Sequence, residues 1–218
     1  MKENKKEELL KIENCLSSKE KIKVEDKIFE KLMFIYSVAI KEISTKLEIL
    51  KDEFHTFYDY ELIDHINTRI KQPNSIIKKM KDKGCELTYA QMIENINDIA
   101  GVRVICPLKN DIFTIRNLIE KLPGVKIIKQ KDYVTNPKKS GYASYHLIAE
   151  VPITLSQKIM YVKVEIQIRT MAMDFWASVE HKAKYKTEIK PTKRSSKELV
   201  ECAKMISKLD DKMMLLRN

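Results

Sequence analysis

The four cysteines, Cys15, Cys85, Cys106 and Cys202, stand far apart, with no C-x-x-C pair and no metal-ligand spacing among them. That scatter excludes a zinc ribbon and a disulfide framework, and it points to reduced thiols in a cytoplasmic protein. Long apolar runs are missing as well. The most apolar stretch, Leu32 to Ile40, is about half of the ~20 residues a membrane-spanning helix needs, so no membrane partner is expected. The start, Met1-Lys-Glu-Asn-Lys-Lys6, leads into no apolar signal core. There is no internal repeat and no low-complexity tract, so neither a solenoid nor a linker-like segment organises the chain.

What is present is charge and periodicity. Among 218 residues, 41 Lys and Arg against 31 Asp and Glu leave a formal charge of +10. An excess of that sign suits a polyanionic partner such as a nucleotide, RNA or an acidic surface. Many of the lysines alternate with glutamates, however, as they do on solvated helix faces. The length fits one catalytic-size unit with appended helices rather than two independent domains.

Residues 1–24 read as a charged extension of no legible function. From Glu25 to about Tyr58, Ile28, Leu32, Ile35, Ala39, Ile43, Leu47 and Leu50 recur every three or four residues, the pattern of a long amphipathic helix that packs on a core or on another subunit. Asp64 to Lys71 reads as a short strand, and Pro73 opens a basic helix that ends at Gly84. Asp98-Ile-Ala-Gly-Val-Arg-Val-Ile-Cys106 reads as a central strand with a carboxylate at its mouth. Lys109 to Leu122 is helical in period until Pro123-Gly124 stops it, and Val125 to Val134 is a further strand. Asn136-Pro-Lys-Lys-Ser-Gly-Tyr142 is a loop by composition, leading into a strand at Ala143 to Glu150. Helices are expected at Met171 to Lys186 and, after Pro191, at Lys197 to Arg217.

The clearest strand is Tyr161-Val-Lys-Val-Glu-Ile-Gln-Ile-Arg-Thr170, where Val162, Val164, Ile166 and Ile168 alternate with Lys163, Glu165, Gln167 and Arg169. Successive side chains of a strand point to opposite faces, so one face is core and the other ionic. Periodicity alone leaves open whether Glu165 meets water or a substrate. It also leaves open whether Arg69, Lys71 and Lys79 form a phosphate site at a strand-to-helix junction or merely a solvated basic surface. The expected class is α+β: a mixed sheet of about five strands flanked by helices, with long N- and C-terminal helices. The divisions are 1–24, 25–190 and 191–218.

Taken in order, Arg69-Ile-Lys71, Asp98-Ile-Ala-Gly-Val-Arg103, Ser140-Gly-Tyr-Ala-Ser-Tyr-His146, Val164-Glu-Ile-Gln-Ile-Arg-Thr170 and Phe175-Trp-Ala-Ser-Val-Glu-His181 resemble the synthetase domain of the RelA/SpoT homologues. The likeness is greatest to the single-domain small alarmone synthetases, and it runs from about Phe29 to the C-terminus. It implies a nucleotidyltransferase-like fold and an enzyme that moves the β,γ-pyrophosphate of ATP to the ribose 3′-hydroxyl of GDP or GTP, releasing AMP. It implies Mg2+ as cofactor, with Asp98 as ligand, Glu165 as base for the 3′-hydroxyl and a second metal contact, and Gln167 beside it. On the ATP side it implies Arg69 and Arg103 around the adenine, with Lys71 and Lys79 on phosphates. On the GDP/GTP side it implies Tyr142 stacked on guanine, Lys138 and His146 near phosphate, and Asp174 accepting the guanine N1 and N2 protons.

There are departures from the family pattern. Asp82 and Ala143 stand where many relatives carry a basic residue, and Lys131 where some carry arginine, so cationic contacts to both nucleotides are reduced. No His-Asp dipeptide occurs, which implies synthesis without hydrolysis of the alarmone. The resemblance further implies a homotetramer and leaves RNA or the alarmone open as regulatory ligands. Two other readings stand beside it. Toxin-like relatives that pyrophosphorylate tRNA 3′ ends or adenine nucleotides share the donor half, and a basic RNA-binding module would share the charge.

Overall fold

The computed structural model describes residues 20–185 and 193–216. Its elements run α1 (Lys27–Tyr58), β1 (His65–Ile70), α2 (Pro73–Asp82), α3 (Tyr89–Asn95), β2 (Ala100–Cys106), α4 (Lys109–Glu120), β3 (Lys126–Asp132), β4 (Tyr145–Leu155), β5 (Lys158–Thr170), α5 (Met171–Tyr185) and α6 (Lys193–Leu215). The apolar stripe of α1 does what its spacing requires. Phe29, Leu32, Ile35, Tyr36, Ala39, Ile40, Ile43 and Leu47 are buried along it, and the helix crosses β1, β2, β5 and β4 on one face of the sheet. The Asp26 side chain accepts from the Ile28 N–H at 3.2 Å to start the helix, and Asp59 ends it in the left-handed region at φ 48°. Fully burying each Leu or Ile of such a stripe contributes roughly 1.5–3 kcal/mol.

The five strands form one sheet in the order β1-β2-β5-β4-β3. The β2–β5 pair is parallel and the other neighbours are antiparallel, so the sheet is mixed as expected. The period-two reading of β5 holds: Val162, Val164, Ile166 and Ile168 are buried toward the core. Register then decides what stands beside the polar residues. Arg69 pairs with Gly101, Gly101 with Glu165, and Glu165 with Ile148. One pleat further on, Asn67 pairs with Arg103, Arg103 with Gln167, Gln167 with His146, and His146 with Lys131. Paired residues project to the same face, so these make two rows across the side of the sheet that α1 leaves uncovered.

Four elements differ from the sequence expectation. The strands β4 and β5 are longer and meet as a hairpin, with Leu155 opposite Lys158. Past Glu150, among the described residues, the strand β4 has no partner on its β3 side, which is where a proline such as Pro152 is tolerated. The helix α3 was not anticipated; at seven residues it is too short to display a period, although Thr88 caps it by accepting from the Gln91 N–H at 3.3 Å. The last helix begins at Lys193, one turn before the expected Lys197.

Of the charged extension expected at 1–24, residues 1–19 lie outside the described residues, as do Lys186, Pro191 and Arg217. The described part joins the domain, with Lys21 bridging to Thr88 and the Ile22 N–H donating to the Leu87 carbonyl at 2.8 Å. Among the described residues no helix is long and apolar enough to cross a membrane. The helix α6 packs on α4 and α5. The Trp176 indole donates to the Leu199 carbonyl at 2.8 Å. Thr170 donates to the buried Asp210 at 2.9 Å while accepting from the Met173 N–H at 3.1 Å, which fixes the first turn of α5 where Asp174 stands.

Candidate active site

Glu165 sits at the centre of the open face. Gln167 Nε2 donates to its Oε2 at 2.8 Å, and His146 Nδ1 lies 3.5 Å from its Oε1. Burial by itself raises this carboxyl, but the contacts with His146 and Gln167 outweigh it and hold Glu165 below its ordinary value, ionised at neutral pH. Tyr142 Oη lies 2.8 Å from His146 Nε2 and accepts from Arg169 Nη2 at 2.6 Å. The arrangement that serves all three has Tyr142 donating to Nε2, which places the imidazole proton on Nδ1, facing Glu165.

Asp98 lies at the mouth of β2 and is buried. Its Oδ2 is held by Lys71 Nζ at 3.0 Å and Lys79 Nζ at 2.7 Å, one from the end of β1 and one from α2. Burial pushes the carboxyl up and the two lysines more than reverse this, so it stays charged. The other oxygen, Oδ1, is buried without a hydrogen-bond partner among the described residues. An ionised, unpartnered oxygen in a wall shared with Glu165 suits a hard divalent cation. Among the described residues no group of three or more His, Cys, Asp or Glu side chains could hold a metal. Two carboxylates completed by substrate phosphates are nonetheless the usual Mg2+ arrangement in nucleotide enzymes.

Three cavities meet on this face. One of about 360 Å³ is lined by Lys79, Asp98, Lys131, Lys138, His146 and Glu165, among others. A second, of about 200 Å³, opens between Arg69 and Arg103 over Gly101, with Glu165 and Gln167 in its wall. A third, of about 380 Å³, is bounded by Arg69, Arg103, Tyr142, Gln167, Arg169 and His181. Glu165 therefore borders both the lysine-rich cavity and the arginine-walled one. A separate cavity of about 260 Å³ lies behind the 136–142 loop, against Trp176 and α6, and is mostly apolar.

The loop before β4 is held tightly. The Gly141 N–H donates to the Lys138 carbonyl at 2.8 Å and the Lys138 N–H to the Tyr142 carbonyl at 3.0 Å. Gly141 has φ +91°, and a Cβ there would stand 2.4 Å from the Ala203 Cβ of α6, so only glycine fits. This geometry sets Lys138 Nζ 4.7 Å from the ring centres of both Tyr133 and Tyr142.

All the site residues expected from the sequence thus come together on or beside one face. Lys71 reaches it through Asp98, and Asp174 reaches it by ion pairs to Arg103 and Arg169, each at 3.0 Å. Two residues had been missed. Arg169, 4% exposed, was visible only as the last charged member of the β5 alternation. Tyr133 gave no signal in the sequence; its ring meets Tyr142 and His146 edge-on, with centres 6.1 and 5.4 Å apart.

The description "Region found in RelA / SpoT proteins" belongs to a sequence family whose pattern matches residues 68–190. The GTP pyrophosphokinase YwaC of Bacillus subtilis is 43% identical over 182 residues, covering 84% of this chain and 87% of its own length. The crystal structure of small alarmone synthetase 2 from B. subtilis superposes with a TM-score of 0.79 at 40% identity, over 87% of this chain and 97% of that one. Small alarmone synthetase 1 from the same organism, crystallised with its product pppGpp, gives a TM-score of 0.80 at 31% identity, over 88% and 97%. With motifs, fold and relatives in agreement along most of its length, the chain belongs to the RelA/SpoT family.

Proposed function

We propose that this chain is a GTP pyrophosphokinase, transferring the β,γ-pyrophosphate of ATP to the ribose 3′-hydroxyl of GDP or GTP. The observation that carries the reading is the place of Glu165, ionised and bordering both the arginine-walled and the lysine-rich cavities. The 3′-oxygen attacks the β-phosphorus of ATP and the bond from that phosphorus to the α,β-bridging oxygen breaks. AMP leaves with that oxygen, and Glu165 takes the hydroxyl proton. Asp98 and Glu165 are the residues that would hold Mg2+, which when bound neutralises charge on the transferring phosphates.

The chain's own groups divide the remaining work. Arg69 and Arg103 offer two guanidinium planes for the adenine, a contact that ammonium groups cannot make. Lys71 and Lys79 hold Asp98 by Oδ2, so its Oδ1 is presented in a fixed direction, and Lys79 also borders the phosphate cavity. Tyr142 offers an aromatic face to guanine, with Lys138 and His146 beside it. Asp174 is an acceptor-only group, suited to the guanine N1 and N2 protons and unsuited to adenine. Nucleotide substrates fit a cytoplasmic site of action. The exposed apolar residues of α5 and α6, among them Phe175, Val179, Met205 and Leu209, are the surface we assign to a homotetramer.

The test is one incubation of the purified protein with labelled ATP and Mg2+, offering GDP, GTP, ATP or tRNA as acceptor, with products separated by chromatography. AMP released in step with a 3′-pyrophosphorylated guanosine nucleotide is the expected result. Preferential labelling of tRNA or of an adenine nucleotide would overturn it.

A further inference from the structure

Arg169 is the most buried charged group on the site face, and the reading above gives it no task. A guanidinium withdrawn from water is costly unless its donors are met. Here Nη1 donates to Asp174 Oδ1 at 3.0 Å, and Nη2 to Tyr142 Oη at 2.6 Å and to Gln167 Oε1 at 2.8 Å, while Nε has no partner among the described residues. Its Cζ also lies 5.1 Å from the centre of the Tyr142 ring. Each partner leads to a different part of the site. Gln167 holds Glu165, Tyr142 contacts His146, and Asp174 Oδ1 is shared with Arg103 Nη1 at 3.0 Å.

The shared oxygen matters most. One carboxylate oxygen serves two cations, and Arg103 likewise keeps a buried Nε without a partner among the described residues. Asp174 is therefore a common acceptor that ties the two arginines together. When a base stacks on Arg103 and loosens its hold on Asp174, the carboxylate, still anchored by Arg169, has acceptor capacity free for the guanine protons, so each base favours the binding of the other. The effect is mutual because a coupling free energy between two sites is reciprocal.

We infer that Arg169 is a positioning residue that couples the donor base site at Arg103 to the acceptor base site at Tyr142 and Asp174. This rests on the reading above, in which Arg103 serves ATP and Tyr142 serves GDP or GTP. Lysine at 169 keeps the charge but cannot reach three acceptors at once, so the link is cut.

The experiment titrates a non-hydrolysable α,β-methylene ATP analogue into the wild-type protein, R169K and Y142F, each with and without saturating GDP. In the wild type GDP is expected to tighten the analogue by at least about fivefold, the lower end of ordinary coupling. In R169K the analogue alone should bind within about twofold of wild type, while the gain from GDP falls to about one, a split that general misfolding would not produce. Y142F keeps the ring and removes the oxygen that Nη2 reaches, so it should lose part of the gain. A wild type without any gain, or an R169K protein that keeps the whole of it, overturns the inference. If R169K does not fold, Y142F decides, and an undiminished gain overturns it. These titrations need no turnover, so a wild type that couples its ligands yet releases no AMP refutes the proposed activity and not the coupling.

Discussion

Replacing Glu165 by Gln keeps the shape of the side chain and removes its charge. The surroundings tolerate this. The amide oxygen still accepts from Gln167 Nε2, now 2.8 Å from Oε2, and only the 3.5 Å approach of His146 Nδ1 needs a changed tautomer or a flipped amide. The structural cost is about one hydrogen bond, ~0.5–1.5 kcal/mol. The catalytic cost is larger. A positioned general base contributes roughly 10²–10⁴-fold, or about 3–5 kcal/mol of barrier. Because His146 and Gln167 outweigh the effect of burial and keep Glu165 ionised, the wild-type base is available across the neutral range. The assay is AMP release from ATP plus GDP, both saturating, with binding of each nucleotide titrated separately. The expected result is loss of at least about two orders of magnitude in kcat with both nucleotides still bound. Turnover within about tenfold of wild type, less than a general base contributes, would refute the assignment.

Two further perturbations test the surroundings. Gly141→Ala places a non-glycine residue at φ +91° and drives its Cβ to within 2.4 Å of Ala203, so thermal unfolding should show destabilisation of at least ~1–3 kcal/mol, and the KM for GDP should rise more than that for ATP because the loop carries Lys138 and Tyr142. Asp98 has a folded pKa below its ordinary 3.8, so its contribution to stability is complete above that value and disappears as pH falls through the folded one. Denaturant titrations from neutral pH to pH 3 should therefore show wild type losing more stability than Asp98→Asn below about pH 4. At neutral pH that variant should be less stable by ~1–3 kcal/mol, under the figure for a fully buried pair because the Lys79 side chain is 38% exposed.

The α+β class, the mixed sheet and most element positions were legible in the sequence because they follow from local rules. A period of two buries Val162, Val164, Ile166 and Ile168, a period near 3.6 lays α1 on the sheet, and Pro73 and Gly84 bracket α2. The candidate site was legible by motif order, since each short run carried residues whose type matched a task. Element ends were less so. The helix α3 is shorter than two full periods of a helix, and β4 continues through Pro152 beyond the end of its pairing with β3, where no local pattern marks its end.

The sequence by itself determined that β5 has an ionic face and that Glu165, Gln167 and Arg169 share it, because side-chain direction in a strand depends only on position along the chain. It could not determine what faces them. That depends on register between strands far apart in sequence, which brings Gly101 and Ile148 opposite Glu165, and Arg103 and His146 opposite Gln167. Only the tertiary structure placed two lysines on one oxygen of Asp98 and left the other unpartnered among the described residues. It alone turned Arg169 from one more charge in an alternation into a buried guanidinium between Gln167, Tyr142 and Asp174. Hydrogen-bond partners are set by distances across the fold, and no local pattern in the chain encodes them.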